Sequence, residues 1–298
     1  MKHIAIVANK WWEVHPLCAV LLNDYARPPE IEDIKLISYP ADPPQRPKTR
    51  PPDPAPLPRL SCQCVGCTVD VWCLQELMNP FESSSSSFEK ARVLPASLAT
   101  RAKPDLVIAF GTAGSRPGVA ANGSVVVGRR VFIHDPLASE PDRTGMWTPP
   151  HQDIIVDSGF ASSVFRKIDT ESKHSAEARF LVTPIGPSAP LLLFGNGFVS
   201  LGVVNVTDYD QYFWADKSAV TAFAQADIRD GQIGSVETTH GVIRESCDAA
   251  FFFVSGIVDM EGLFDYQVSP RRYVQNFTGA HNAAVATAFL LPEVARLL

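Results

Sequence analysis

Apolar residues in this chain gather into short, nearly unbroken runs. His3–Ala8, Asp105–Phe110 and Phe251–Val258 are each the length of one strand, and none alternates with solvent-facing polar positions. Such runs predict strands buried on both faces, as in a parallel sheet packed between helices. Further strands are expected at Asp33–Tyr39, Thr68–Leu74, Ser124–Ile133 with a bulge at Gly128, Phe180–Thr183, Leu191–Phe194, Val199–Thr207 and Ile233–Val236. Helices are expected at His15–Tyr25, Ala215–Ala226, Glu237–Cys247 and Thr278–Leu298. Another starts at the capping box Ser86-Ser87-Phe88-Glu89 and runs to Ala102. Strands alternating with helices place the chain in the α/β class. The expected architecture is a single domain over residues 1–298, its central mixed, mostly parallel sheet flanked by helices.

Two stretches break the pattern. Pro40–Pro58 holds nine prolines in nineteen residues, too many missing N–H donors for regular structure. It reads as an extended, solvated insertion, either without chemistry or as a polyproline segment that docks a partner. Pro136–Pro150 is irregular, with Trp147 at its tip.

Composition narrows the function. With 46% hydrophobic and 19% charged residues among 298, the chain can bury a sizeable core, which excludes wholesale disorder. Its 26 basic and 32 acidic residues leave a net charge of −6, against the basic balance of a dedicated nucleic-acid binder. The same balance argues against an electrostatic membrane anchor, and no apolar run approaches the roughly 20 residues that span a bilayer. Met1–Ala8 is too short in its apolar part, and too aromatic afterwards, for a signal peptide, so a cytoplasmic protein is expected.

Of six cysteines, Cys62, Cys64, Cys67 and Cys73 cluster. Thiolates at that spacing could close a tetrahedron around zinc, but structural sites usually pair two separated knuckles or add histidines, and none lies nearby. Reduced thiols packed on a strand and its loop are the favoured reading, with no cofactor.

In an α/β sheet ligands bind beyond the carboxyl ends of strands, so polar groups just after buried strands are informative. Four places qualify. Glu13, in Trp11-Trp12-Glu13-Val14-His15, follows the first strand, although an acid there also suits a helix start. Gly111-Thr112-Ala113-Gly114 is expected as a small-residue turn; it fits neither nucleotide-cradling glycine pattern. Glu237 joins a strand to a helix, where it either trims the helix dipole or accepts two hydroxyls of a sugar. Asp259 ends the most apolar strand, where desolvation favours the protonated form and hence proton donation; an N-cap is the alternative.

In this order the four segments resemble the purine nucleoside phosphorylase/nucleosidase superfamily, most closely its 5′-methylthioadenosine/S-adenosylhomocysteine nucleosidase branch. Met1–Val14 is similar to the opening strand and acidic turn, and Lys103–Gly114 with Asn122–Val127 to the central strand and its sequel. Val236-Glu237-Thr238 stands at a methionine-glutamate pair and Ser255–Asp259 at a strand ending in serine-aspartate. The resemblance implies that Glu13 activates water, that Thr112 sits near that water and the ribose, that Glu237 grips the ribose hydroxyls, and that Val236 contacts the base. It implies that Asp259 protonates N7 of the leaving purine. Tyr209–Phe213 resembles a G-D-x-F-[IV] segment, which implies Tyr212 as base-stacking ring and Phe213 as backbone contact, with Trp214 the alternative.

Phosphorylases of this superfamily commonly carry an arginine where this chain has Ala109, and phosphate recognition needs a cation or a backbone nest. Hydrolysis of a purine nucleoside is therefore the expected activity. A phosphorylase using Arg116 or a partner subunit's cation, and a binding protein without turnover, are the alternatives. The resemblance also implies a homodimer or a higher homo-oligomer.

Overall fold

The computed structural model describes residues 1–37, 56–77, 87–135, 154–156, 159–168, 170–204, 209–226, 228, 230–261, 263 and 273–298. Most of the proline-rich insertion and all of 136–153 lie outside them, as do the side chains of 205–216.

The apolar runs become the centre of one mixed sheet. Lys2–Ala8 (β1) pairs in parallel with Cys67–Cys73 (β4) on one side and Leu106–Ser115 (β5) on the other. Ala250–Met260 (β12) lies parallel to β5 along its whole length. Alternation sends Ile4, Ile6 and Ala8 to one face and Ala5 and Val7 to the other, and both faces are covered. Trp11–Leu22 (α1) and Tyr273–Leu297 (α8) pack on the first face. Ser87–Ala99 (α3) and His240–Ser246 (α7) close the second. Phe251, Phe252 and Phe253 of β12 are fully buried, each contributing about 1.5–3 kcal/mol relative to exposure.

The edges are antiparallel. Ile31–Leu36 (β2), Leu60–Cys64 (β3) and β4 form a meander at one end. At the other end Arg130–His134 (β7) pairs antiparallel with the edge strand Ile154–Val156 (β8) and in parallel with Phe198–Val203 (β10), which runs parallel to Gln232–Glu237 (β11). Val125–Gly128 (β6) joins β12 to Leu192–Phe194 (β9).

Several expectations from sequence need correction. Gly111–Gly114 is no turn: the chain stays extended through Ser115 as the last part of β5. Asp259 lies inside β12, which continues to Met260. The predicted strand 180–183 does not join the sheet, because Asn282 of α8 supplies what a neighbouring strand would: Leu181 N donates to its Oδ1 and its Nδ2 donates to Leu181 O, both at 2.8 Å. Helix α1 begins at Trp11 rather than at His15 and carries Pro16 in its interior. The strand expected across Ser124–Ile133 splits into β6 and β7 at Arg129. Helix α7 starts three residues after Glu237, which belongs to β11. Sequence reading also missed β3 and the helices Phe160–Lys167 (α4) and Thr170–Glu177 (α5). Tyr209–Gln225 (α6) and Leu74–Leu77 (α2) complete the described elements.

The four clustered thiols and Cys18 are buried between β3, β4, α1 and α8. Burial pushes Cys18, Cys62, Cys64 and Cys73 up to about 12, so they stay protonated. Among the described residues no His, Cys, Asp or Glu cluster could hold a metal ion, and no helix is long and apolar enough to cross a membrane.

Candidate active site

The long strand β5 changes neighbours partway along. Its edge pairs with β1 as far as Phe110 and with β11 only at Gly114, through Val236. Where β1 and β11 diverge, a cleft of about 800 Å³, counted out to its open mouth, forms at the carboxyl ends of the strands. This is where ligands bind in such sheets. Asn9, Lys10, Trp12 and Glu13 line one wall, Phe110–Gly114 the floor, Val236–His240 the second wall, and Val258, Asp259 and Asn276 the far end. Five residues singled out in the sequence, Glu13, Thr112, Val236, Glu237 and Asp259, thus meet around one cavity.

Glu13 explains the early start of α1. Its Oε2 accepts the N–H groups of Asn9 at 3.1 Å and Lys10 at 2.9 Å, which would otherwise be unpaired at the helix entry. Its Oε1 accepts Thr112 N at 2.8 Å and Thr112 Oγ1 at 3.0 Å. Burial still pushes this carboxyl above its usual range. Hydrogen bonds from Thr112 and Lys10, and the nearby His240, offset the shift only in part. The four donors fill the four lone-pair positions of a carboxylate. Only the Thr112 hydroxyl among them can rotate away, so it is the position a water molecule can take over. Glycine at 111 is required by close approach: a Cβ there would lie 3.0 Å from Glu13 Oε1.

Glu237 does the first of the tasks considered for it, at the start of α7, while its other oxygen borders the cleft. Its Oε2 accepts the N–H groups of Thr239 and, at 2.7 Å, of His240, so it caps α7. Its Oε1 accepts Ser200 Oγ at 3.1 Å and keeps lone-pair capacity beside the cleft. Ser200 also lies 3.2 Å from His240 Nδ1. With the serine proton on Glu237, this nitrogen of the imidazole ring is the donor. That ring stacks on Phe253 at 5.6 Å and lines the cleft. Behind Thr239 stands Lys90, buried, with its Nζ 3.5 Å from the threonine hydroxyl.

Asp259 is placed by a β-bulge. Ile257 pairs with Ala113 and Asp259 with Gly114, leaving Val258 without a partner in the register. The extra residue re-aims the strand, so that Val258 and Asp259 both line the cavity. A Cβ on Gly114 would come within 2.9 Å of Asp259 Oδ2, so glycine leaves room for the carboxylate.

Tyr212 and Phe213 fall within α6, and their side chains, with that of Trp214, lie outside the described residues. Arg116 does not line the cleft. It is half-exposed and ion-paired to Glu261 at 3.2 Å, which removes it as the phosphate cation considered from sequence. Ala109 is packed in the core. Sequence reasoning missed Lys10, Asn9, Asn276, His240 and Lys90. His240 carried a faint signal, three residues beyond Glu237; Lys90 carried none.

No family model and no curated protein matches the sequence. Solved structures match its fold. The 5′-methylthioadenosine/S-adenosylhomocysteine nucleosidase of Neisseria meningitidis, in complex with methylthio-immucillin-A, is 14% identical with a TM-score of 0.55, covering 98% of this chain and 99% of that one. The corresponding enzyme of Colwellia psychrerythraea 34H, in complex with adenine, is 14% identical with a TM-score of 0.59, covering 98% and 96%. A futalosine hydrolase mutant of Helicobacter pylori 26695 is 12% identical with a TM-score of 0.53, covering both chains fully. The chain shares the fold of these solved nucleosidases and of the futalosine hydrolase.

Proposed function

We propose that this protein is a purine nucleoside N-ribosyl hydrolase. The observation that carries the reading is the convergence of Glu13, Glu237 and Asp259, from three distant stretches, on one cleft at the carboxyl ends of the strands. Neighbours of the same fold hold adenine or methylthio-immucillin-A, which supports a purine nucleoside as substrate.

Cleavage of an N-glycosidic bond develops positive charge on the sugar, which carboxylates stabilise. In the proposed reaction the C1′–N bond breaks with its electron pair leaving on the purine, and Asp259 delivers a proton to N7. Water adds to C1′ and gives its proton to Glu13, helped by the turning Thr112 hydroxyl. Glu237, anchored on α7, accepts the ribose hydroxyls, and Val236, Tyr212 and Phe213 are proposed to hold the base. Water is the only co-substrate. The whole chain acts as one unit in the cytoplasm, as a homodimer or larger homo-oligomer.

Phosphorolysis fits less well. Among the described residues lining the cleft there is no arginine, Lys10 is the cation, and the three carboxylates Glu13, Glu237 and Asp259 oppose an incoming phosphate. The test is free base released from adenosine, inosine and methylthioadenosine with and without phosphate. Release without phosphate is expected. Strict phosphate dependence overturns hydrolysis, and tight binding without release overturns turnover altogether.

A further inference from the structure

Two neighbouring amides near the start of α8 are used in different ways. Gln275 is fully buried and fully engaged. Its Oε1 accepts Ile185 N at 3.1 Å, and its Nε2 donates to Ile185 O at 3.3 Å and to Val258 O at 2.8 Å. Asn276 is 4% exposed, yet among the described residues its side chain has no hydrogen-bond partner. Neither of its amide atoms is sealed from solvent, and the opening they meet is the cleft that Asn276 lines. Other buried amides of this region are spoken for: Asn122 donates to Ile185 O at 3.0 Å and Asn282 to Gly123 O at 2.7 Å. A side-chain amide carries two donors and one carbonyl acceptor, and enclosing them without partners is costly. An apolar side chain would pack there without that cost.

The fold puts this amide beside Asp259. Helix α8 lies against β12 at a pair of glycines: a Cβ on Gly256 would fall 2.0 Å from Gly279 O, and one on Gly279 would fall 2.3 Å from Val258 Cγ1. From that contact the helix leads back one turn, on the same face, to Asn276, while the strand leads on to Val258 and Asp259. The hydrogen bond from Gln275 to Val258 O ties the two elements together at the bulge that aims Asp259. Asp259 and Asn276 therefore close the same end of the cleft, whereas Glu13 and Glu237 stand on its two walls.

A carboxyl and a rotatable amide side by side match the imidazole-side edge of a purine, where N7 and the substituent at position 6 point the same way. We propose that Asn276 is a specificity-determining residue that reads the 6-substituent of the base whose N7 faces Asp259. Turned one way, the amide donates an N–H to a 6-oxo group; turned the other, its carbonyl accepts from a 6-amino group. This assignment rests on the reading of the cleft as a purine site, because the place of Asp259 at N7 sets how the base lies. It does not require turnover.

The test titrates adenine, hypoxanthine and unsubstituted purine into the full chain by calorimetry, as wild type, Asn276→Leu and Asn276→Ala. Purine keeps N7 but has no group at position 6. A neutral hydrogen bond is worth about three- to tenfold in affinity. Both variants should weaken adenine and hypoxanthine by about that factor and leave purine within about twofold. The same split should separate adenosine and inosine from purine riboside in kcat/KM for base release. Equal losses for all three ligands, or no loss for any, overturn the proposal, because an asparagine that only supports the fold cannot sense position 6. Should neither variant fold, the wild-type protein still decides: adenine and hypoxanthine should bind more tightly than purine, and equal affinities overturn the assignment. Failure to bind any of the three bases overturns it as well. Binding with the expected split but no base release from any nucleoside would sink the hydrolase reading alone.

Discussion

The two ends of the sheet treat a buried carboxylate in opposite ways. At the amino end Asp70 of β4 lies against His3 of β1, with His3 Nε2 at 3.0 Å and Arg101 Nε at 3.3 Å from the same oxygen. Burial alone would raise this carboxyl, but the hydrogen bond and charge of His3 and the charge of Arg101 outweigh it and hold it below its usual range. At the carboxyl end Glu13 is just as enclosed, yet its direct partners are two backbone segments and a hydroxyl, and burial wins. A carboxylate given cations becomes a fixed brace. One given only neutral donors stays poised to take a proton. Two equally buried acids thus shift in opposite directions according to the partners the fold gives them.

The largest effects should come from the poised end. Asp259→Asn and Glu13→Gln should each lower kcat by about 10²–10⁴-fold while the folded protein persists, as steady-state base release and circular dichroism would report. Normal turnover by either variant removes that residue from the mechanism.

The braced end should answer in stability instead. Asp70→Asn breaks a buried ionic cluster and should cost about 3 kcal/mol in denaturant titrations at pH 7, with kcat per folded molecule unchanged. The signs of linkage also differ. Asp70, lowered in the folded state, contributes stability above its unfolded pKa that is lost as pH falls through the lower folded value. Glu13, raised in the folded state, contributes stability below its unfolded pKa that is lost as pH rises through the folded value. Thermal melts of wild type and Asp70→Asn should therefore converge in acid. Parallel curves would show that Asp70 is not held ionised by its neighbours.

A smaller effect is expected at Thr112. Thr112→Val removes the one rotatable donor on Glu13 and should lower kcat by about tenfold, with Thr112→Ser restoring most of it. Arg116→Ala should change neither base release nor its independence of phosphate. A marked loss there would return the phosphorylase alternative to consideration.

Legibility followed the range of the interactions. Strands β1, β5 and β12 were readable because a doubly buried strand writes its burial directly into the sequence. The glycines of Gly111–Gly114 were misread as a turn because glycine marks both a bend and a close approach, and the groups approaching here, Glu13 and Asp259, come from other elements. The segment at 180–183 looked like a strand because nothing local announces that Asn282 will satisfy its backbone. Lys90 had no sequence signal at all, since a lysine in a helix is ordinarily solvated.

Unbroken apolar runs of strand length, and the acidic groups that follow them, determined without coordinates that this chain forms a covered α/β sheet with carboxylates near strand ends. Tertiary structure alone decided which of those carboxylates face a common cavity, how each is hydrogen-bonded, and that a buried lysine stands behind them. The reason is one of distance. Local pattern reflects which face of an element meets water, whereas the charge state of a buried acid depends on groups about a hundred residues away that only folding brings within a few ångströms.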